Sequence, residues 1–295
     1  MNRTILVFLL LVSALVPAFA ETVIADGSNV SGSWTKDNSP YHVMGVVTVP
    51  YGQTLTIEPG TVVMFRADTV NQREQEEFGN GSFKLGMLRV RGLLIAKGTP
   101  EERILFTRLE QEDLKEAVWG TIQVCAVSGK SEFVHCNFEY ANGVIEVPTG
   151  ESEVKENATG ALSFIECAGL VENCLFRLNW AGINAKHGSV LDIKYCTIVE
   201  NKYSIEANED SRIKARGCLF YDNIDGFFVN DRNDLELSYS FVQNGQWDDN
   251  IYDAQNNVRK GDNPKFNNPK KGDYSLSKKS PCLAKGEKGK NVGAF

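Results

Sequence analysis

Apolar residues recur along this chain in columns 22 residues apart. Cys174, Cys196 and Cys218 mark the register, with Ser240 next in line. Two places after each stands an apolar residue (Phe176, Ile198, Phe220, Val242), and three places before stands another (Val171, Ile193, Ala215, Leu237). Nine and eleven places after come Ile183 and Ala185, Ile205 and Ala207, Phe227 and Val229; in the fourth unit Ile251 keeps the eleventh place and Asp249 breaks the ninth. Within each short segment the pattern has period two, which is that of a strand. Strand patterns repeated at a fixed spacing predict a solenoid in which each repeat is one coil of about 22 residues, closed by three short strands and three turns. Five places after the cysteines stand Asn179, Asn201 and Asn223, slipping by one to Asn244. That column predicts a turn, because asparagine tolerates unusual backbone angles and its amide can bond the backbone or the next amide in a stack.

Upstream, Phe133, Cys136, Phe138, Asn142, Ile145 and Val147 repeat the pattern. The distance from Cys136 to Cys174 exceeds one coil, and the excess maps to the polar stretch from Pro148 to Gly160, read as a loop thrown out of the solenoid. Earlier strands are expected near Val46 to Val49, Leu55 to Ile57, Val62 to Phe65, Leu88 to Val90, Leu93 to Ala96, Ile104 to Phe106 and Ile122 to Val124. Polar stretches from Ala67 to Lys84 and from Leu109 to Ala117 interrupt them, the second with a turn or two of helix expected. Residues 46–266 then form one domain of roughly nine to ten coils, each burying its apolar side chains against its neighbours. The open ends of such a stack need covering, so residues 21–45 are expected as an N-terminal cap and residues 267–295 as a C-terminal cap or tail.

Residues 1–20 read as an export signal, with Asn2-Arg3, an apolar run from Ile5 to Val16, and Ala18-Phe19-Ala20 as a small-x-small cleavage site. The run is short for a membrane span and no second one follows, so the mature chain is expected to lack a transmembrane segment. Its expected location is the periplasm, the cell surface or the extracellular space. The net charge of −7, one unit more acidic without Arg3, argues against nucleic acid as a partner. Residues 258–290 are basic, with ten Lys and Arg against Asp262, Asp273 and Glu287. They read either as a solvated terminal cap or as a contact with an anionic glycan or membrane surface. Of the seven cysteines, Cys174, Cys196 and Cys218 should point inward about 4.8 Å apart and act as small apolar fillers. The states of Cys125, Cys136, Cys167 and Cys282 are open, a Cys167 to Cys174 bridge included. No paired or clustered ligands suggest zinc.

Several segments resemble the right-handed parallel β-helix repeat proteins of the pectate-lyase-like superfamily. Val49-Pro50-Tyr51-Gly52-Gln53-Thr54-Leu55-Thr56-Ile57-Glu58-Pro59-Gly60-Thr61 is similar to an opening coil of that family. Gly92 through Gly98-Thr99-Pro100, Ile104-Leu105-Phe106-Thr107 and Trp119-Gly120 resemble the next two coils. Asp273-Tyr274-Ser275-Leu276, Ser280-Pro281-Cys282-Leu283 and Gly293-Ala294-Phe295 resemble its usual ending. The resemblance implies an all-β fold, a single-stranded right-handed parallel β-helix. It leaves activity open, since the family includes lyases, hydrolases, epimerases, adhesins and many secreted proteins without known activity.

Members that cleave polysaccharides do so on an outward face, with carboxylates, a basic residue and often calcium. The outward columns here hold Asn184, Glu206, Phe228 and Asn250; Lys186, Asn208, Asn230 and Tyr252; and Ala181, Tyr203, Asp225 and Trp247, with Trp180 and Lys202 beside them. Aromatic rings stack on the apolar faces of sugars while amides and carboxylates bond the hydroxyls. Trp180, Asn184, Glu206, Phe228, Trp247 and Tyr252 are therefore the candidate carbohydrate-binding residues. Glu206, Asp225 and Lys202 are the candidate catalytic group, although the two acids stand in different columns. Asp248 and Asp249 are the candidate ligands for calcium, the one cofactor considered, but neighbours on a strand point opposite ways. His42, His135 and His187 are isolated; His135 reads as a surface or turn residue and His187 as a turn residue.

Two functions follow. One is a non-catalytic surface scaffold that binds a polysaccharide or another cell-surface component. The other is a lyase, glycoside hydrolase or epimerase acting on a polyuronic or other bacterial or plant glycan.

Overall fold

The computed structural model describes residues 21–69, 85–109, 117–125, 129–148, 155–229, 235–245, 259–261 and 263–295. Three parallel sheets run its length. Sheet A has ten strands, from Thr22–Ile24 and Tyr41–Val43 to Phe241–Gln243 and Arg259–Lys260. Sheet B has seven, from Val46–Val49 to Gly226–Val229, and sheet C has eight, from Gly32–Trp34 to Leu235–Ser238. The chain visits them in the order C, A, B and then climbs one rung. Ala168–Glu172, Leu175–Arg177 and Ala181–Lys186 form one such coil, and Val190–Lys194 opens the next directly beside Ala168–Glu172. The registers keep the columns in line, with Phe176 paired to Ile198, Ile183 to Ile205 and Val171 to Ile193. All six are fully buried, as the period-two reading requires.

From His135 onward, single residues in the left-handed region turn the C-to-A and A-to-B corners. From sheet C to sheet A the corner is His135, Asn173, Tyr195, Gly217 or Tyr239, and from A to B it is Tyr140, Leu178, Glu200 or Asp222, all with φ between 50° and 65°. Left-handed backbone is costly for most residues, so a coil built this way depends on its neighbours to hold it. Gly217 also makes room, since a Cβ there would come within 2.6 Å of the Tyr195 ring one rung below. The asparagine column follows the A-to-B corner and works through its side chains. Asn179 Nδ2 donates to Asn201 Oδ1 at 2.9 Å, Asn201 Nδ2 to Asn223 Oδ1 at 2.9 Å and Asn223 Nδ2 to Asn244 Oδ1 at 2.8 Å. The expectation that asparagine takes the unusual backbone angle is thus corrected: Leu178, Glu200 and Asp222 take it, and the buried amides tie rung to rung.

The cysteines are all free and buried, which removes the Cys167 to Cys174 bridge. Cys136, Cys174, Cys196 and Cys218 stack at the C-to-A corner, and Cys174, Cys196 and Cys218 donate S–H to Phe133, Val171 and Ile193 carbonyls of the rung below. Ser240 ends the stack, its hydroxyl accepting from Cys218 N–H at 3.1 Å. Elsewhere burial pushes the Cys167 thiol up to about 12 and that of Cys282 up to about 11. Rung volumes are balanced across the core. Where later rungs pair Ala185 with Leu191 and Ala207 with Ile213, this one pairs Phe164 with Gly169, and a Cβ on Gly169 would lie 2.4 Å from the Phe164 ring.

Four expectations change. Ile145 and Val147 do not continue sheet B, because Val144–Pro148 pairs antiparallel with Lys155–Ala158 as a hairpin, and Leu162–Ile165 is the strand that joins Ile122–Cys125. The ladder position of that coil is Ala141, whose N–H donates to Asn179 Oδ1, and not Asn142. Residues 21–45 supply strands to sheets A and C, so the solenoid already begins there. The basic tail does not close the last rung but folds back along the outer flank of sheet A. There Tyr274, Cys282 and Val292 cover Leu175, Val199, Leu219 and Phe241. Gly293 N–H donates to Gly217 O, Ala294 N–H to Thr197 Oγ1 and Tyr274 O–H to Glu200, while Arg103 stacks on the Phe295 ring. The helical turns expected between Leu109 and Ala117 fall largely outside the described residues.

Candidate functional site

The outward wall of sheet B gathers most of the described candidates. Three aromatic rings follow one another along successive rungs, with centroids 6.1 Å apart from Trp180 to Tyr203 and 6.0 Å from Tyr203 to Phe228. Lys202 lies over this strip, its ammonium 3.8 Å from the Trp180 ring centre and 5.2 Å from that of Tyr203. Phe228 is 50% exposed, an unusual cost for a phenylalanine on a solvated strand. Asp225 lies close to Tyr203, whose hydroxyl pKa is raised first by burial and then by the Asp225 and Glu206 charges. Alternation and the A-to-B corner together produce this strip. Trp180 and Lys202 leave the corner just after the ladder asparagines, and Tyr203 and Phe228 stand on the strands that follow.

Behind the strip runs a polar column in register: Arg89, Gln123, Ser163, Asn184, Glu206 and then Phe228. The expectation that Asn184 and Glu206 stand on an open face is corrected, for Asn184 is fully buried and Glu206 is 7% exposed. The cover at Glu206 comes from Thr159, immediately after the hairpin strand Lys155–Ala158, whose hydroxyl donates to the Glu206 carboxylate. Asn184 Nδ2 donates to the same oxygen, and Asn184 Oδ1 accepts from Ser163. Burial pushes the Glu206 carboxyl above the ordinary carboxylate range, with these two donors and the Lys186 and Lys202 charges opposing. Glu206 and Asp225 are therefore set apart in environment, one enclosed among donors and the other beside a tyrosine. The structure brings together Trp180, Lys202, Asp225 and Phe228; it encloses Asn184 and Glu206.

Trp247, Tyr252, Asp248 and Asp249 lie outside the described residues. Among the described residues no group of three His, Cys, Asp or Glu side chains is placed to hold a metal. His135 and His187 are left-handed corner residues, His187 Nδ1 lying 2.7 Å from Glu209. Tyr203 stood in an outward column but was passed over as a binding residue. The sequence reading also missed a groove of about 680 Å3 between the tail and the flank of sheet A, lined by Arg177, Tyr221, Asp222, Lys265, Phe266 and Lys270 among others. Its one signal was the basic tail, and only the fold-back of that tail creates the groove.

No helix of the described residues is long and apolar enough to cross a membrane. No curated protein matches the chain. The family model for the right-handed β-helix region matches residues 122–276, the stretch that holds the asparagine ladder, the thiol stack and the aromatic strip. With more than half of its length matched and its sheets wound as parallel coils, the chain belongs to the right-handed β-helix family.

Proposed function

We propose that this protein is an exported, non-catalytic β-helix scaffold that binds a polysaccharide or another cell-surface component along the strip of Trp180, Tyr203 and Phe228. The observation that carries the reading is the alignment of three rings on successive rungs, ending in a half-exposed phenylalanine. A rod with aromatic rings at regular spacing offers stacking faces to an extended chain of sugar rings, and Asp225 and Lys202 beside them offer hydroxyl partners. The export signal expected in residues 1–20 supports an encounter with glycans outside the cytoplasm. The raised pKa of Glu206 favours a second reading, in which it is the general acid of a lyase, hydrolase or epimerase.

Affinity electrophoresis of residues 21–295 through gels cast with neutral and uronic-acid polysaccharides, with and without calcium, separates the two. Retarded migration with the polymer intact is expected. Trp180→Ala and Phe228→Ala should each weaken retention by about tenfold, the scale of one aromatic contact. Full retention in both variants removes the strip from the interaction. A cleared zone that disappears in Glu206→Gln makes the protein an enzyme.

A further inference from the structure

The wall of sheet B carries a second arrangement, several rungs away from the aromatic strip. Arg89 stands on Met87–Val90 and Arg91 at the corner just after it, with its guanidinium 5.7 Å from the centre of the Tyr51 ring and near enough for its charge to act on Arg89. Gln123 lies beside Arg89 in register, and Thr121 faces the same way two places before it. Thr121 and Gln123 are fully buried, while Arg89 and Arg91 are partly exposed and give the tile an opening to solvent.

Buried polar groups in folded proteins are nearly always matched. Among the described residues, the buried side-chain polar atoms that lack a hydrogen-bond partner are concentrated here. Arg89 Nε, Arg91 Nε, Thr121 Oγ1 and both amide atoms of Gln123 lack one, and the only other is Asn208 Oδ1. The charges are also unbalanced. Glu206, the carboxylate of the outward column, is three strands beyond Gln123, about 14 Å at the usual strand spacing, and is taken by Thr159 and Asn184. Burial and then the Arg91 charge lower the Arg89 pKa, with Cys125 opposing. Two partly exposed arginines side by side, each with its Nε buried and unpartnered and with no ion pair to a carboxylate among the described residues, suit an anion.

We propose that this tile binds a small oxyanion, with Arg89 and Arg91 taking a carboxylate, sulfate or phosphate group and Gln123 and Thr121 meeting the atoms next to it. Arginine forks bond oxyanions in pairs, and the Gln123 amide offers one donor and one acceptor side by side. The acceptor needs a hydroxyl, so a ligand with hydroxyls beside its oxyanion, as in an acidic sugar, satisfies the tile more fully than a bare inorganic ion. The proposal does not rest on the aromatic strip, and neither Trp180 nor Phe228 takes part in its test.

The test is thermal melting of the full mature chain in a buffer free of oxyanions. Sodium galacturonate, sulfate, phosphate or neutral galactose is titrated at matched ionic strength, so that screening is constant. A saturable rise in melting temperature is expected with galacturonate and none with galactose. A rise with galacturonate alone identifies an acidic sugar, and a rise with sulfate or phosphate as well identifies the oxyanion group itself; both support the site. Arg89→Gln should weaken the response at least about tenfold, as expected on losing a charge-assisted pair. Gln123→Leu should remove the response while melting no lower than wild type without ligand, because it deletes two unmatched buried atoms. No saturable rise with any oxyanion, an undiminished response in Arg89→Gln, or a lower melting temperature for Gln123→Leu in the oxyanion-free buffer overturns the proposal.

Discussion

Glu206 shows how one side chain on the outer wall can couple stability to pH. Its carboxyl is raised above the ordinary range by burial, so the folded state favours the protonated form. Its contribution is fully present below the unfolded pKa and is lost as pH rises through the higher folded value. Glu206→Gln keeps an oxygen for Thr159 and Asn184 and removes the charge. Melting of both proteins from about pH 4 to about pH 8 should show a variant close to wild type at the acid end and progressively more stable toward the alkaline end. A gap that stays constant with pH would mean that the native carboxylate is not desolvated. The sequence pattern marks Glu206 as outward, and it is; its enclosure was illegible because the cover, Thr159, arrives from an excursion two coils earlier and obeys no column. The asparagines were legible as a stack near a turn. Which residue bears the left-handed angle was not, since Leu178 carries no sequence sign of it.

At the scale of strands, the core tolerates exchange of volume between facing columns. Phe164 with Gly169 fills one rung as Ala185 with Leu191 fills the next. Phe164→Ala should cost about 3–5 kcal/mol through the cavity it leaves, and Gly169→Leu about 1–3 kcal/mol through overpacking. The double variant recreates the neighbouring rung, and denaturant unfolding should find it more stable than the sum of the single losses by at least about 1 kcal/mol. Simple additivity would show that the two columns do not share the space. Most strands could be read from the sequence because each apolar column is repeated rung after rung. The exception is instructive: Val144–Pro148 alternates as a coil strand would, and period alone does not reveal that its partner is Lys155–Ala158 and not sheet B. Likewise Trp180, Lys202, Asp225 and Phe228 followed from the constant spacing. The Arg89 and Gln123 tile lies upstream, where excursions break that spacing and no column aligns the two.

Across the whole molecule, the tail is a lateral brace. Its final residues touch sheet A on rungs formed by residues far earlier in the chain, through Thr197, Gly217 and Arg103. Removing residues 267–295 would uncover Leu175, Val199, Leu219 and Phe241, now at most 3% exposed. At about 1.5–3 kcal/mol per side chain, a loss on the order of 5 kcal/mol or more is expected. The truncated chain should melt at lower temperature and bind a hydrophobic dye; unchanged melting without dye binding would show that the flank needs no cover. The corners divide the molecule in another way. From His135 onward the C-to-A corner turns on one left-handed residue per rung, whereas the chain departs between sheets A and B at Ala67, at Leu109 and at Asn142, rejoining each time in register. Foreign sequence grafted at that edge would leave hydrogen-bonded rungs intact on either side, while the same graft at His135 or Tyr195 would sever the thiol stack. One edge of the rod is thus a row of docking ports for new loops, and the rest is a chassis that need not change to carry them.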